Sequence, residues 1–308
     1  MPRLHPIAAL RYTTTTGDVT TKIAPPYDVL DEKPKQHLLQ RDPHNIVQVD
    51  LPVTPPKTVG PAEAYTQAAA TLEQWIESDV LQRDGQPAVY AYEQVYTVGE
   101  QTFRRRGLFC GLGVEQFNQP NGIWRHEHTI KAGTDDRMLL MKATRCQLSP
   151  IFGVFHDQPG DVVALLAEAF DRKPDFHGKT ANDDVEHRCW VIHHSQTIES
   201  LQQLFAERDV FIADGHHRYT TALNYSKDHP DEPAAATCLF VLVAIEDPGM
   251  IVLPTHRVLT GLDGLTLNKL KAAVGERDDL KLTESQYAPD QAAALADTLP
   301  GAGDHAMG

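Results

Sequence analysis

Apolar residues along this chain recur with two periods that alternate, a helical spacing of three and four and a strand spacing of two. Ala62–Leu81 has helical spacing, with Ala69, Leu72, Trp75, Ile76 and Val80 on the apolar positions, and predicts a long helix. Before it, Pro25-Pro26-Tyr27-Asp28 reads as a rigid bend entering a short helix near Asp31–Gln40. Asn45–Leu51 (NIVQVDL) alternates and predicts a strand, followed by the proline-rich connector Pro52–Pro61. Ala88–Val98 and Phe103–Phe117 predict two strands joined at the turn Gly99-Glu100. Ile123–Thr129 reads as extended and Arg137–Thr144 as helical. From there strands at Ser149–Phe155, Arg188–His193 and Val210–Ala213 interleave with helices at Val162–Phe170, Ile198–Phe205 and His216–Ser226. Thr237–Ile245 (TCLFVLVAI) is an unbroken apolar run of strand length, which suits a strand covered on both faces. Ile251–Leu253 adds a short strand ending at Pro254. After Thr266 come two modest helical patterns, Leu267–Val274 and Gln291–Leu299, and a glycine-rich end at Gly301-Ala302-Gly303 that is expected to fray. The irregular order predicts an α/β fold of the mixed α+β kind, a mixed β-sheet with flanking helices. Two regions are expected, 1–160 with the hairpin and 161–308 with the strand–turn–helix at Ala213–Tyr219.

Composition narrows the partners. The chain has 308 residues, 41% hydrophobic and 23% charged, enough to build a sizeable core. Its formal net charge of −14 argues against a nucleic-acid backbone or an anionic membrane, both of which attract clustered Lys and Arg. The longest basic run, Arg104-Arg105-Arg106, reads either as a solvated strand end or as a phosphate-facing patch. Cys110, Cys146, Cys189 and Cys238 are widely spaced without a CxxC pair and are expected to be small hydrophobes. No apolar signal region or membrane-length run occurs, so the expected compartment is the cytoplasm.

The richest chemistry lies in FIADGHHRY, Phe211–Tyr219. An apolar strand runs into Asp214-Gly215 and then a helix. Gly215 suits a backbone conformation closed to other residues, and Asp214 is expected to cap the helix. The unpaired amides of a helix start favour an anion, and His216, His217 and Arg218 crowd cation-capable groups around it. A second group lies in Arg125–Ser149. A zinc-protease His-Glu-x-x-His pattern fails there, because Ile130 stands at the second histidine position. His126 and His128 would share a face of an extended segment, which leaves a two-histidine metal site open. Glu127, Lys131, Asp136, Arg137 and Lys142 have spacing suited to a polar pocket or to a solvated helix face. His193-His194 is expected to be structural or exposed, and His256-Arg257 is a weaker pocket candidate.

Several separated motifs resemble the bacterial and archaeal family catalogued as domain of unknown function 1015. They are Pro25-Pro26-Tyr27-Asp28-Val29, Asn45–Leu51, His126-Glu127-x-Thr129 leading to Asp136-Arg137, Ser149-Pro150-Ile151-Phe152, Ala213–Tyr219 and Pro254-Thr255-His256-Arg257. Members of that family usually continue further at the C-terminus, so a closing subdomain beyond Gly308 is expected to be missing. The Asp-Gly-His-His-Arg turn is also similar to one in free-serine kinases of the ParB/sulfiredoxin-like superfamily, where it lies at the nucleotide-phosphate site. This second resemblance implies ATP or ADP and Mg²⁺ as cofactors. It implies that Asp214 serves in the catalytic or metal-binding set and that His216, His217 and Arg218 hold phosphate oxygens. The residues themselves add His217 and Glu127 to the catalytic candidates, and Gly215, His126, Arg137 and Lys142 to those expected around the ligand. The reaction implied is phosphoryl transfer to a hydroxylated metabolite such as serine, without a P-loop, since no Walker lysine loop occurs. Two alternatives remain open: hydrolysis of a phosphorylated metabolite, and a nucleotide- or metabolite-binding regulator without turnover.

Overall fold

A computed structural model of the chain describes residues 3–181, 184–252 and 263–275. Residues 1–250 form one compact unit and residues 251–308 a second. In the first, short strands β1 (Leu4–His5) and β2 (Leu10–Tyr12) precede helices α1 (Glu32–Arg41), α2 (Val47–Asp50) and α3 (Ala62–Glu77). Then come strand β3 (Leu81–Arg83), the hairpin β4 (Val89–Val98) and β5 (Gln101–Gly113), β6 (Ile123–Trp124) and helix α4 (Lys131–Thr144). Next follow β7 (Ile151–Phe155), α5 (Asp161–Phe170), β8 (Phe176–Lys179), β9 (Glu186–Ile192) and α6 (Ser195–Phe205). The unit closes with β10 (Val210–Asp214), α7 (His216–Asp228) and β11 (Thr237–Ala244). In the second unit, α8 spans Leu267–Gly275.

The expected fold class holds: a nine-stranded mixed sheet, ordered β6-β10-β7-β11-β5-β4-β9-β8 with β1 beside β5, carries flanking helices. It draws strands from both sides of residue 160. β11 lies between β7, to which it is parallel, and β5, to which it is antiparallel, as its unbroken apolar run suggested. The hairpin turns at Gly99-Glu100, with Val98 opposite Gln101 and Gly99 at φ +60°. The main core joins the sheet to α5, α6 and α7 through residues such as Leu108, Leu166, Phe205, Tyr219 and Phe240. A second cluster holds Val49, Trp75 and Leu140 around α3 and α4, and a third holds Tyr27, Leu38, Val47 and Leu51.

One expected strand is a helix. Asn45–Leu51 forms α2 because the Asn45 side chain donates to the Thr21 and Ile23 carbonyls and accepts from the Val47 N–H, closing a helical turn. Residues two apart lie on nearly opposite sides of a helix. Val47 and Leu51 therefore fill the third cluster while Val49 fills the second, so the alternation reports two cores rather than a pleat. The extended reading of Ile123–Thr129 holds only at Ile123–Trp124. Ile251 and Val252 have no regular structure, Val252 being 93% exposed, while Leu253 lies outside the described residues. Pro254–Arg257, the helix expected at Gln291–Leu299 and the glycine-rich end also lie outside them.

Register places the site. β10 runs parallel to β6, with Phe211 beside Trp124, so the chain leaves both strands at the same sheet edge. β7 runs antiparallel to β10, with Phe152 opposite Asp214, so Ser149-Pro150 enters at that edge too. Helices α4 and α7 begin there and pack side by side, α4 lying also against α3.

Candidate functional site

Asp214 ends β10, Gly215 takes φ +103°, and α7 starts at His216. The left-handed φ is open to glycine and strained for other residues. A Cβ at Gly215 would also stand 3.1 Å from the Arg218 guanidinium carbon. The expected cap at Asp214 is not made: Gly215 is the N-cap residue, and no side chain caps the helix. Asp214 instead pairs with Arg218, four residues on, whose guanidinium also donates to the Pro150 carbonyl. The start of α4 likewise has no side-chain cap.

The two histidines are neutral rather than cationic. The His126 N–H donates to His216 Nε2 at 3.4 Å, and the Ile130 N–H donates to His217 Nε2 at 3.0 Å. An imidazole accepting on Nε2 carries its proton on Nδ1. Burial lowers the pKa of both; the neighbouring His126 adds to this for His216 and Lys57 for His217. His216 Nδ1 lies 3.6 Å from Glu127 Oε2, and its ring meets that of His126 edge-on at 4.5 Å between centroids. Glu127 itself is exposed. The positive charge expected from the turn is thus Arg218 alone, balanced by Asp214.

Behind the turn lies a buried polar network. The Arg137 guanidinium bonds Asp136 Oδ2 at 2.8–2.9 Å and the Asp50 carbonyl and carboxylate at 2.8 and 3.2 Å, and it lies 3.9 Å over the Tyr27 ring. The Tyr65 hydroxyl donates to Asp136 at 2.9 Å, and the Ser149 hydroxyl donates to Asp50. Burial pushes the Tyr27 phenol up to about 12, against the pull of Arg137. A cavity of about 40 Å³ lies between Arg137 and Arg218, with Asp50, Ser149 and Thr221 on its wall. That is room for a few water molecules.

Lys57 completes the surroundings. Its ammonium pairs with Asp28 at 3.1 Å, and its chain passes Gly133, where a Cβ would also collide with the His217 ring at 2.9 Å.

Tertiary structure thus brings Asp214, Gly215, His216, His217, Arg218, His126 and Glu127 together at one edge. Arg137 stands behind them as a support. Lys142 is elsewhere: it pairs with Asp228 at 3.4 Å, at the far end of α7 and, at about 1.5 Å per helical residue, some 18 Å from the turn. Among the described residues no group of three or more His, Cys, Asp or Glu is placed to hold a metal ion. Arg104 and Arg106 both bond the buried Glu93, as does Arg188, while Arg105 bonds Gln94 and stacks on Tyr96 and Phe152. His193 and His194 are exposed. All four cysteines are free thiols, and burial pushes those of Cys189 and Cys238 up to about 12. Sequence reasoning missed Lys57, Asp50 and the role of Ser149. Lys57 sits in a proline-rich connector whose path no local signal fixes, whereas Asp50 was detectable as a polar residue ending an apolar alternation.

No helix among the described residues is long and apolar enough to cross a membrane. No curated protein matches this chain. No solved structure matches it either, so the likeness of the turn to ParB/sulfiredoxin-like kinases rests on the short motif alone. Five of the motifs shared with one family (Tyr27-Asp28, Asp50, His126 to Arg137, Ser149-Pro150 and the turn itself) meet around Arg137 and α7. The profile of that family, described as protein of unknown function (DUF1015), matches residues 4–299, and the chain belongs to it.

Proposed function

We propose that this chain is a small-molecule phosphotransferase that holds a nucleotide phosphate at the Asp214–Arg218 turn and passes a phosphoryl group to a hydroxylated metabolite such as serine. The observation that carries the reading is a helix start that no side chain caps, met by the His126–Ile130 segment and by Pro150, with an arginine and two carboxylates beside it. Uncapped amides at a helix start are a ready anion site, and phosphoryl transfer asks the protein for positioning and charge more than for covalent chemistry.

In this scheme the α7 amides and Arg218 hold phosphoryl oxygens, and His217 adds its Nδ1–H as a neutral donor. Glu127 or Asp214 accepts the proton of the acceptor hydroxyl as its oxygen bonds phosphorus and the bond to the nucleotide oxygen breaks. The donor set fits Mg²⁺ carried in by a nucleotide: Mg²⁺ keeps several waters and phosphate oxygens and needs as few as one carboxylate, which would be whichever of Glu127 and Asp214 does not take the proton. When bound, the ion neutralises charge on the phosphates. A reaction that draws on ATP or ADP fits a cytoplasmic setting, which keeps thiols reduced.

The test is incubation with Mg²⁺ and ATP or ADP plus serine or a related hydroxyl compound, following phosphorylated acceptor and nucleotide product. His217→Ala is expected to lower turnover by about 10²-fold, the usual range for losing a positioned donor. Phosphate released from a phosphorylated acceptor without nucleotide would move the reading to a phosphohydrolase. Nucleotide binding with no turnover would make the chain a nucleotide- or metabolite-binding regulator.

A further inference from the structure

We propose that Lys57 is the exchangeable cation of this site: its ammonium lets go of the Asp28 carboxylate and grips a phosphoryl group of the ligand. The proposal rests on the phosphate-binding reading above and adds to it a residue far from the turn in sequence.

The turn's own charges are committed. Arg218 is held by Asp214 and by the Pro150 carbonyl, and its side chain is only 14% exposed. Arg137 is locked between Asp136 and Asp50. Both imidazoles accept backbone N–H groups and are neutral. With the Arg218 charge balanced by Asp214, a phosphoryl group arriving with two negative charges gains from one further protein cation, with or without the metal ion. Lys57 is the ammonium next to His217: the two side chains converge on the same face of Gly133, in the first turn of α4. Its partner Asp28 is its only charge contact among the described residues, at 3.1 Å, with side-chain exposures of 37% and 21%. A partly exposed single ion pair is weak, and a dianionic phosphoryl group attracts an ammonium more strongly than a carboxylate does. Lysine offers three rotatable donors on a flexible stem, which suits exchange, whereas the arginines here are fixed by paired bonds. The backbone at Lys57 takes φ +62°, the left-handed region that a lysine adopts only where its surroundings hold it. Gly133 leaves room for the His217 ring, which a Cβ there would meet at 2.9 Å, while the Lys57 chain passes at an ordinary contact distance of 3.5 Å.

Asp28 is then more than a placeholder. While the site is empty it keeps the ammonium in reach of the turn, and on release its partly exposed carboxylate turns to solvent, away from the like charge of the phosphoryl group.

The experiment compares inorganic pyrophosphate and ADP binding by calorimetry in the wild type, Lys57→Met, Lys57→Arg and, as a surface control, Lys179→Met, whose ammonium pairs with Asp184 on β8 and the loop after it. Lys57→Met is expected to weaken both ligands by about tenfold or more, Lys57→Arg to recover most of that, and Lys179→Met to change nothing, as for loss of a charge-assisted bond. An NMR titration of His217 without ligand supplies a second readout. His217 faces Lys57, Asp28, Glu127 and Asp214, and Lys57 is the cation among them, so its removal should raise the His217 pKa. Equal affinity in wild type and Lys57→Met overturns the proposal while leaving the phosphate site standing. A wild type that binds neither pyrophosphate nor ADP overturns both.

Discussion

Both imidazoles of the turn receive a backbone N–H on Nε2 and lie against packed neighbours, and both pKa values fall below the free value of about 6.5. A histidine with a lowered folded pKa stabilises the protein above about pH 6.5, and that contribution is lost as pH falls, because the unfolded chain takes up protons the folded one excludes. The melting temperature is therefore expected to drop between about pH 7 and pH 5, and the drop should be smaller in the His216→Gln/His217→Gln double variant. Thermal denaturation at a series of pH values checks this; the same drop in the double variant would assign it to other groups. At this scale the sequence marked which residues share the turn and left their charge open. Adjacent His, His and Arg read as cation-capable groups, and whether the imidazoles are protonated depends on which atoms approach Nε2. Here those atoms belong to His126 and Ile130, about ninety residues away along the chain.

Strands and helices with strong local signals form where the pattern placed them. The hairpin of β4 and β5 follows from two alternating runs around Gly99, and β11 from a run with no polar break. Gly107 in β5 shows what those patterns do not carry: a Cβ there would lie 2.1 Å from the Leu242 carbonyl oxygen on β11. Gly107→Ala is expected to cost about 3 kcal/mol or more, since backbone rather than a side-chain tip must give way. Urea denaturation would measure it, and a loss under about 1 kcal/mol would mean the two strands separate easily. α2 marks the opposite case, in which period-two spacing was real and its cause was not a strand. Four residues are too few for periodicity to choose between pleat and turn, and the choice fell to the Asn45 side chain and to two separate apolar clusters.

Across the whole molecule, Arg137 ties the segment around Tyr27, the end of α2 and helix α4 into one buried network, and Ser149 joins it through Asp50. Asp136 is 2% and Asp50 8% exposed, so neither reaches bulk water for compensation. Arg137→Met is expected to destabilise by about 3–5 kcal/mol by stranding two carboxylates, and Arg137→Met with Asp136→Asn by less than the separate losses added together. Urea unfolding of the three variants tests the coupling; strict additivity would mean the groups act independently. The sequence by itself determined the mixed sheet, most of its strands and the strand–turn–helix at Asp214-Gly215, because those depend on spacing and on glycine within a few residues. It also singled out five motifs that the fold brings together. What only tertiary structure decided is which of their charges are spent on one another, that Lys142 points to the far end of α7, and that Lys57 arrives beside His217. Sheet register brings the turn, Trp124 and Pro150 to one edge, and helix and loop packing against it decides the rest; both join segments far apart in the chain, so no single segment contains them.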